Sequence, residues 1–305
     1  MSGLHKVGLA DVEAFRHGKD GYYYRPLVFG ENIFLYVAHI PPGGEMPPDP
    51  EEAKLFELVF LMLEGDLEIS DGSETIAISA DMALHIPRGT PFGTRNVHDK
   101  TASFVMAFSP PPRLKSLEEF KEIFAKENLE VVPADDADSM RYLQEAAGIA
   151  PTPDALFEHE RMVRLADVEG FKHGNDDYFF RPLCFGKEVY MYVAHVPPGG
   201  VMPPDPEEAN LFEGAVYMLD GSLEISDGES TFMISAEEAL HVPKGVPFGV
   251  ANRGKETASL VMSFTPASRR KSVAEFREEF ARQGLVILSA DDTNQMRQIG
   301  KDDKE

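Results

Sequence analysis

The sequence has no tryptophan and only one cysteine, Cys184, so no intrachain disulfide can staple the fold. Basic side chains are scarce, with 29 Lys and Arg against 52 Asp and Glu and a formal net charge of −23. Such a chain repels phosphate backbones and anionic surfaces at long range, which argues against nucleic acid and membrane as partners. The acidity is spread along the chain, as a solvated surface would have it. No apolar run approaches the roughly 18 residues of a spanning helix. The start, MSGLHKVGLADVEAF, has neither the basic nor the apolar region of a secretory leader. A soluble, cytoplasmic protein is expected.

What the sequence does have is the same text twice. YVAHIPPGGEMPPDPEEAKLFE from Tyr36 returns as YVAHVPPGGVMPPDPEEANLFE from Tyr192, an offset of 156 that holds without a gap from Leu9/Leu165 to Met140/Met296. That period matches a whole small domain rather than a solenoid unit. Cys184 falls opposite Val28 and reads as a small apolar residue. A first domain over 1–145, a Pro-containing linker over 146–160 and a second domain over 161–305 are predicted.

Each copy reads as strands first and helix last. The runs NIFLYVAHI, LFELVFLMLEG, LEIS, TIAIS, ALHIP and TASFVMAFS are separated by turn signals such as PPGG, SDGS and PRGTP, the spacing of a compact antiparallel barrel. Ser116…Glu119 and Ser272…Glu275 have the capping-box pattern. The phenylalanines at 120 and 124, and at 276 and 280, then share one helical face. An all-β barrel closed by C-terminal helices is therefore expected in each copy.

The runs PPGG…LFELVFLMLEGDLEISDG and SADMALHIPRGTPFGTRN, repeated in the second copy, resemble the two signature motifs of the cupin superfamily. The chain as a whole resembles a bicupin, similar to bacterial cupins described as quercetin-dioxygenase-like. That resemblance implies two double-stranded β-helix (jelly-roll) barrels. In the family, G-x5-H-x-H-x(3,4)-E-x6-G and G-x5-P-x-G-x2-H-x3-N supply three histidines and a glutamate to a divalent metal. Here Pro50, Glu52, Leu58 and Phe92 stand at those four positions, and Pro206, Glu208, Gly214 and Phe248 repeat the departure. An imidazole-held first-row metal is not favoured by this set.

Other residues bear on the site. Glu57 and Glu213 lie one place before the expected glutamate, and a one-residue shift along a strand turns a side chain to the opposite face. Glu52 and Glu208 do fall on a ligand position, in an acidic Pro-rich turn that is equally read as solvated. His39/His195 and His85/His241 flank the motifs and have two readings, as cavity-lining acid–base groups or ligands, or as ordinary strand residues. If a metal (Fe, Mn, Ni, Cu or Zn) is bound, its ligands are sought among His39, His85, Glu52 and Glu57, and His195, His241, Glu208 and Glu213. His17/His173, in polar HGKD/HGND loops, are expected at the surface. Arg25/Arg181 follow aromatic runs and could either present a fork to a ligand carboxylate or pair within the fold. Tyr36/Tyr192, Phe60, Met62/Met218, Phe92/Phe248, His85/His241 and Gly214 are the remaining pocket candidates, making an apolar cavity of the kind small molecules use. Leu58 becoming Gly214, and Phe60 becoming Val216, predict the larger cavity in the second copy.

Two functional readings follow. The first is a bicupin that binds a small organic molecule in an apolar barrel pocket without the family's metal site. The second is a dioxygenase-, lyase- or isomerase-type enzyme using His39/His195 for proton transfer, or metal held by unusual ligation. The barrels are expected to pack as an intrachain pseudo-dimer, with a homodimer as a further assembly.

Overall fold

The computed structural model of the chain describes residues 3–298, so the expected domain ends at 1 and 305 lie outside the described residues. Contacts divide the chain into two compact units, Gly8–Met162, and Val163–Glu305 together with Met1–Val7. These bounds differ from the sequence expectation at two places. Residues 3–7 cluster with the second half of the chain, where strand His5–Gly8 adds to the edge of its large sheet. The expected linker also lies against the first barrel. Leu156 forms a parallel bridge with Ile76, and buried Glu68 accepts the backbone N–H of Thr152 at 2.6 Å and its hydroxyl at 2.7 Å.

The first unit is a β-barrel of two sheets. The larger runs, in spatial order, through Val131–Val132, Ala14–Arg16, Tyr23–Phe29, Phe34–Ile40, Ala102–Ser109, Glu57–Glu64 and Met82–Ile86. The smaller runs through Glu45–Met46, Gly93–Arg95, Asp66–Ser70 and Thr75–Ser79. The second unit repeats both sheets, which bears out the all-β, duplicated barrel expected from the sequence.

The central strands carry near-continuous apolar runs because both of their faces are buried. In Phe34–Ile40 every residue is buried. Phe34, Tyr36, Ala38 and Ile40 join the core inside the barrel, so Leu35, Val37 and His39 point to the other face. Gly65, at φ +73°, makes the tight turn after Glu57–Glu64 in a conformation that favours glycine.

Helix α1 (Leu117–Glu127) and its counterpart α3 (Val273–Gln283) start as the capping boxes predict. The Ser116 and Ser272 hydroxyls accept the backbone N–H of Glu119 and Glu275 at 3.2 Å. Both helices stop at left-handed residues, Asn128 and Gly284. Their apolar face packs onto the barrel through Phe120 and Phe124, with the Phe124 ring 4.9 Å from Phe15 in an edge contact. The shorter helices α2 (Ala134–Met140) and α4 (Ala290–Gln298) follow.

Candidate functional site

In the first barrel a pocket of about 660 Å³ opens between the large sheet, the turn after residue 46 and helix α1. Its lining includes Glu52, Leu58 and Phe92, and its walls are aromatic, with Tyr24, Phe56 and Phe120 among them. The second barrel has the equivalent pocket, larger at about 1000 Å³. The sequence expectation of unequal cavities therefore holds. Gly214 removes the side chain that Leu58 supplies, and the Met262 methyl moves into the space, 2.5 Å from where a β-carbon on residue 214 would stand.

Within the first pocket the hydroxyls form a directed chain. Tyr36 donates to the Met106 sulfur at 2.7 Å and so receives the proton of Tyr22, 2.8 Å away. Burial holds both phenols well above their usual pKa, so they act as neutral donors. At the mouth, His17 Nδ1 is 2.9 Å from Asp20 and its Nε2 is 3.7 Å from Glu52. The carboxylates of Glu52 and Asp20 outweigh partial burial and raise the imidazole pKa to about 9. His173, with Glu208 and Asp176, repeats the arrangement at about 9.

Several sequence-predicted residues meet in these pockets: Tyr36, Phe92 and Glu52 in the first, and Tyr192, Phe248 and Glu208 in the second. Others do not. Arg25 is fully buried on the opposite face, where its Nε donates to the Val12 carbonyl at 2.8 Å and its Nη1 pairs with Asp138. Arg181 likewise binds the Val168 carbonyl at 2.8 Å and Asn294 at 2.7 Å. These arginines clamp α2 and α4 to the sheets, which corrects their expected ligand role.

His39 and His195 are corrected in the same way. Three residues from Tyr36, an odd separation in a strand, His39 must face away from the pocket. Both imidazoles are fully buried, with Nδ1 2.9 Å from the Ser103 or Ser259 hydroxyl. Burial, aided by Arg25, keeps His39 well below its usual pKa, and burial with Arg181 takes His195 down to about 3.

His85 and His241 also sit outside the pockets. Their Nε2 atoms lie 2.8 and 2.7 Å from buried Glu57 and Glu213, which face away from the barrel interior as the strand shift predicts. Phe60, Met62 and Met218 pack in the core and do not line the pockets. Phe60 instead supports Phe92, with their rings 5.9 Å apart. Gly214 acts only through Met262. Cys184 is buried with its thiol pKa pushed up by burial, in keeping with an inert apolar role.

Sequence reasoning missed His17/His173, Tyr22/Tyr178 and the rim arginines Arg113/Arg269, all of which line the pockets. The identity of HG-x-D in both copies was the one available signal.

Comparison with known proteins agrees with this geometry. The Cupin domain family matches residues 36–108 and again 192–264. This chain is a bicupin. No curated protein matches the sequence. Among solved structures, this bicupin is similar to a protein from Pseudomonas aeruginosa described as glyoxylate-induced, at 13% identity and TM-score 0.63, covering 89% of this chain and 92% of that one. It is also similar to an oxalate decarboxylase from Lactobacillus farciminis, solved as a formate complex, at 12% identity and TM-score 0.59, covering 88% and 87%. The Bacillus subtilis oxalate decarboxylase, solved as a single-site mutant, gives 15% identity and TM-score 0.57 over 88% and 78%. At these identities the likeness is one of fold. Among the described residues no helix of the bicupin is long and apolar enough to cross a membrane.

The family's usual metal-donor set is not present at the motif positions. Pro50, Leu58 and Phe92 bring no donor atom. Glu52, the one donor at a motif position, faces His17 at 3.7 Å. Among the described residues, no group of three or more His, Cys, Asp and Glu side chains is placed to hold a metal ion.

Proposed function

We propose that this bicupin binds a small, largely apolar organic molecule in the aromatic pocket of each barrel. One observation carries the reading: Glu52, Leu58 and Phe92, which stand at the positions of the family's metal ligands, line a pocket of about 660 Å³, within the usual size of small-molecule sites. Aromatic walls supply apolar contact area, and the Tyr22–Tyr36 pair supplies polar orientation. The solved oxalate decarboxylases, one of them studied for its Mn(II) centres, suggest metal-dependent enzymology as a second reading. The donor set at the motif positions argues against that reading for this chain.

Calorimetric titration with 1-naphthol tests the proposal. Micromolar-range binding, lost when Ala53→Phe and Ala209→Phe narrow the two pockets, is the expected result. Absence of binding by 1-naphthol and by smaller arenes, or binding indifferent to both substitutions, would defeat it.

A further inference from the structure

Building on the pocket reading above, we infer that the second barrel's pocket takes an apolar acid, whose carboxylate is received by Tyr190, Tyr192 and the rim arginines. The two pockets share their shape but not their donors. In the first, Tyr36 spends its proton on the Met106 sulfur. In the second, the aligned Tyr192 bonds Tyr178 at 3.0 Å, and the aligned Met262 has its methyl in the space over Gly214. Either hydroxyl can donate in that pair, so one of its two protons is left without an acceptor among the described residues. Tyr192 is only half-buried and lines the pocket.

A second difference points the same way. Phe34 of the first barrel becomes Tyr190, which also lines the pocket, is 2% exposed and has a hydroxyl with no hydrogen-bond partner among the described residues. A buried phenol without a partner is unfavourable, and the first barrel shows that the position accepts phenylalanine. A ligand oxygen would relieve that cost.

The third difference lies at the rim, where Leu114 becomes Arg270. The Nε/Nη2 edge of the Arg270 guanidinium is held by the Glu279 carboxylate, and its Cζ lies over the Phe276 ring at 4.7 Å from the ring centre. Fixed in this way, it presents its remaining N–H donors beside Arg269, where the first barrel has Arg113 alone. The acidic groups of the same pocket are already engaged. Glu279 holds Arg270, Glu208 faces His173 at 3.6 Å, and Asp205 accepts the backbone N–H of Glu207 at 2.7 Å and of Glu208 at 3.4 Å. Two phenol protons and a guanidinium edge match a carboxylate, which accepts from all three.

The test uses the full chain carrying Ala53→Phe, which closes the first pocket, and calorimetry with 3-phenylpropionate, its methyl ester and propylbenzene. The acid is expected to bind at least about tenfold tighter than either neutral probe. Tyr190→Phe and Tyr192→Phe should each weaken the acid by about tenfold and leave propylbenzene unchanged. Arg270→Leu, which restores the first barrel's residue, should also act on the acid alone. Equal affinities for acid and ester, or acid binding untouched by both Tyr→Phe changes, overturn the inference while propylbenzene binding keeps the pocket reading intact. If no probe binds, the inference and the pocket reading both fall.

Discussion

The ε-methyl of Met262 occupies the place of a side chain on Gly214, at 2.5 Å from an ideal β-carbon there. A methionine on the neighbouring strand thus fills space that a side chain at 214 would take. Gly214→Ala should therefore push Met262 back toward Tyr192 and shrink the second pocket. Because the obstructing atom is the flexible end of a methionine, stability should change by no more than about 1 kcal/mol. The check is a denaturant midpoint close to the parent's alongside weaker binding of 3-phenylpropionate. Unchanged affinity would show that Met262 does not control the pocket.

Arg25 should matter for stability and little for binding. Its removal strands the Val12 carbonyl at a buried position and leaves Asp138 to water, so Arg25→Leu is expected to cost about 2 kcal/mol. Arg25→Lys should recover only part of it, since an ammonium cannot span both partners. Urea unfolding measures this. An Arg25→Leu protein as stable as the parent would show that the clamp contributes nothing.

The alkaline limb of stability should belong to His17 and His173. Their folded pKa of about 9 lies above the roughly 6.5 of an unfolded chain, so the native state binds the extra protons between those values. Their contribution is complete below about pH 6.5 and is lost as pH rises through about 9. A His17→Gln, His173→Gln double variant should flatten that decline in a series of urea midpoints. A parent-like slope in the double variant would reassign it.

On the acid side the sign reverses. His195, neutral in the fold with a pKa of about 3, is protonated near 6.5 once unfolded. The unfolded state then binds more protons, so stability falls as pH drops from about 6.5 toward 3. His39 shifts the same way. His195→Leu should shallow this acid-side loss, read again from midpoints against pH. An unaltered acid limb would mean that other groups govern it.

Elemental analysis of purified protein should find less than one transition metal per barrel, whether or not His39 and His195 are changed to Ala. About one per barrel, lost on those changes, would contradict the placement of these histidines.

The barrel was legible because duplication repeats the same glycines, prolines and turns in order. The pocket was only half legible. Tyr36 and His39 sit three apart in one strand, so the sequence already contained the rule that they face opposite ways. Their shared apolar surroundings hid it, since both faces of that strand are buried. Arg25 followed an aromatic run, but its partner Asp138 lies more than a hundred residues on, beyond any local pattern. His17 reads as a loop residue because nothing near it in sequence reveals that the fold brings Glu52 to its ring.

The second barrel's outermost strand, His5–Gly8, is made from some of the first residues of the chain. During synthesis those residues leave the ribosome long before Glu238–Val242, the strand beside which they finally lie. The duplicated unit of the gene and the unit that folds are therefore offset from each other. Strand His5–Gly8 can take its place at the sheet edge only after Glu238–Val242 has been made.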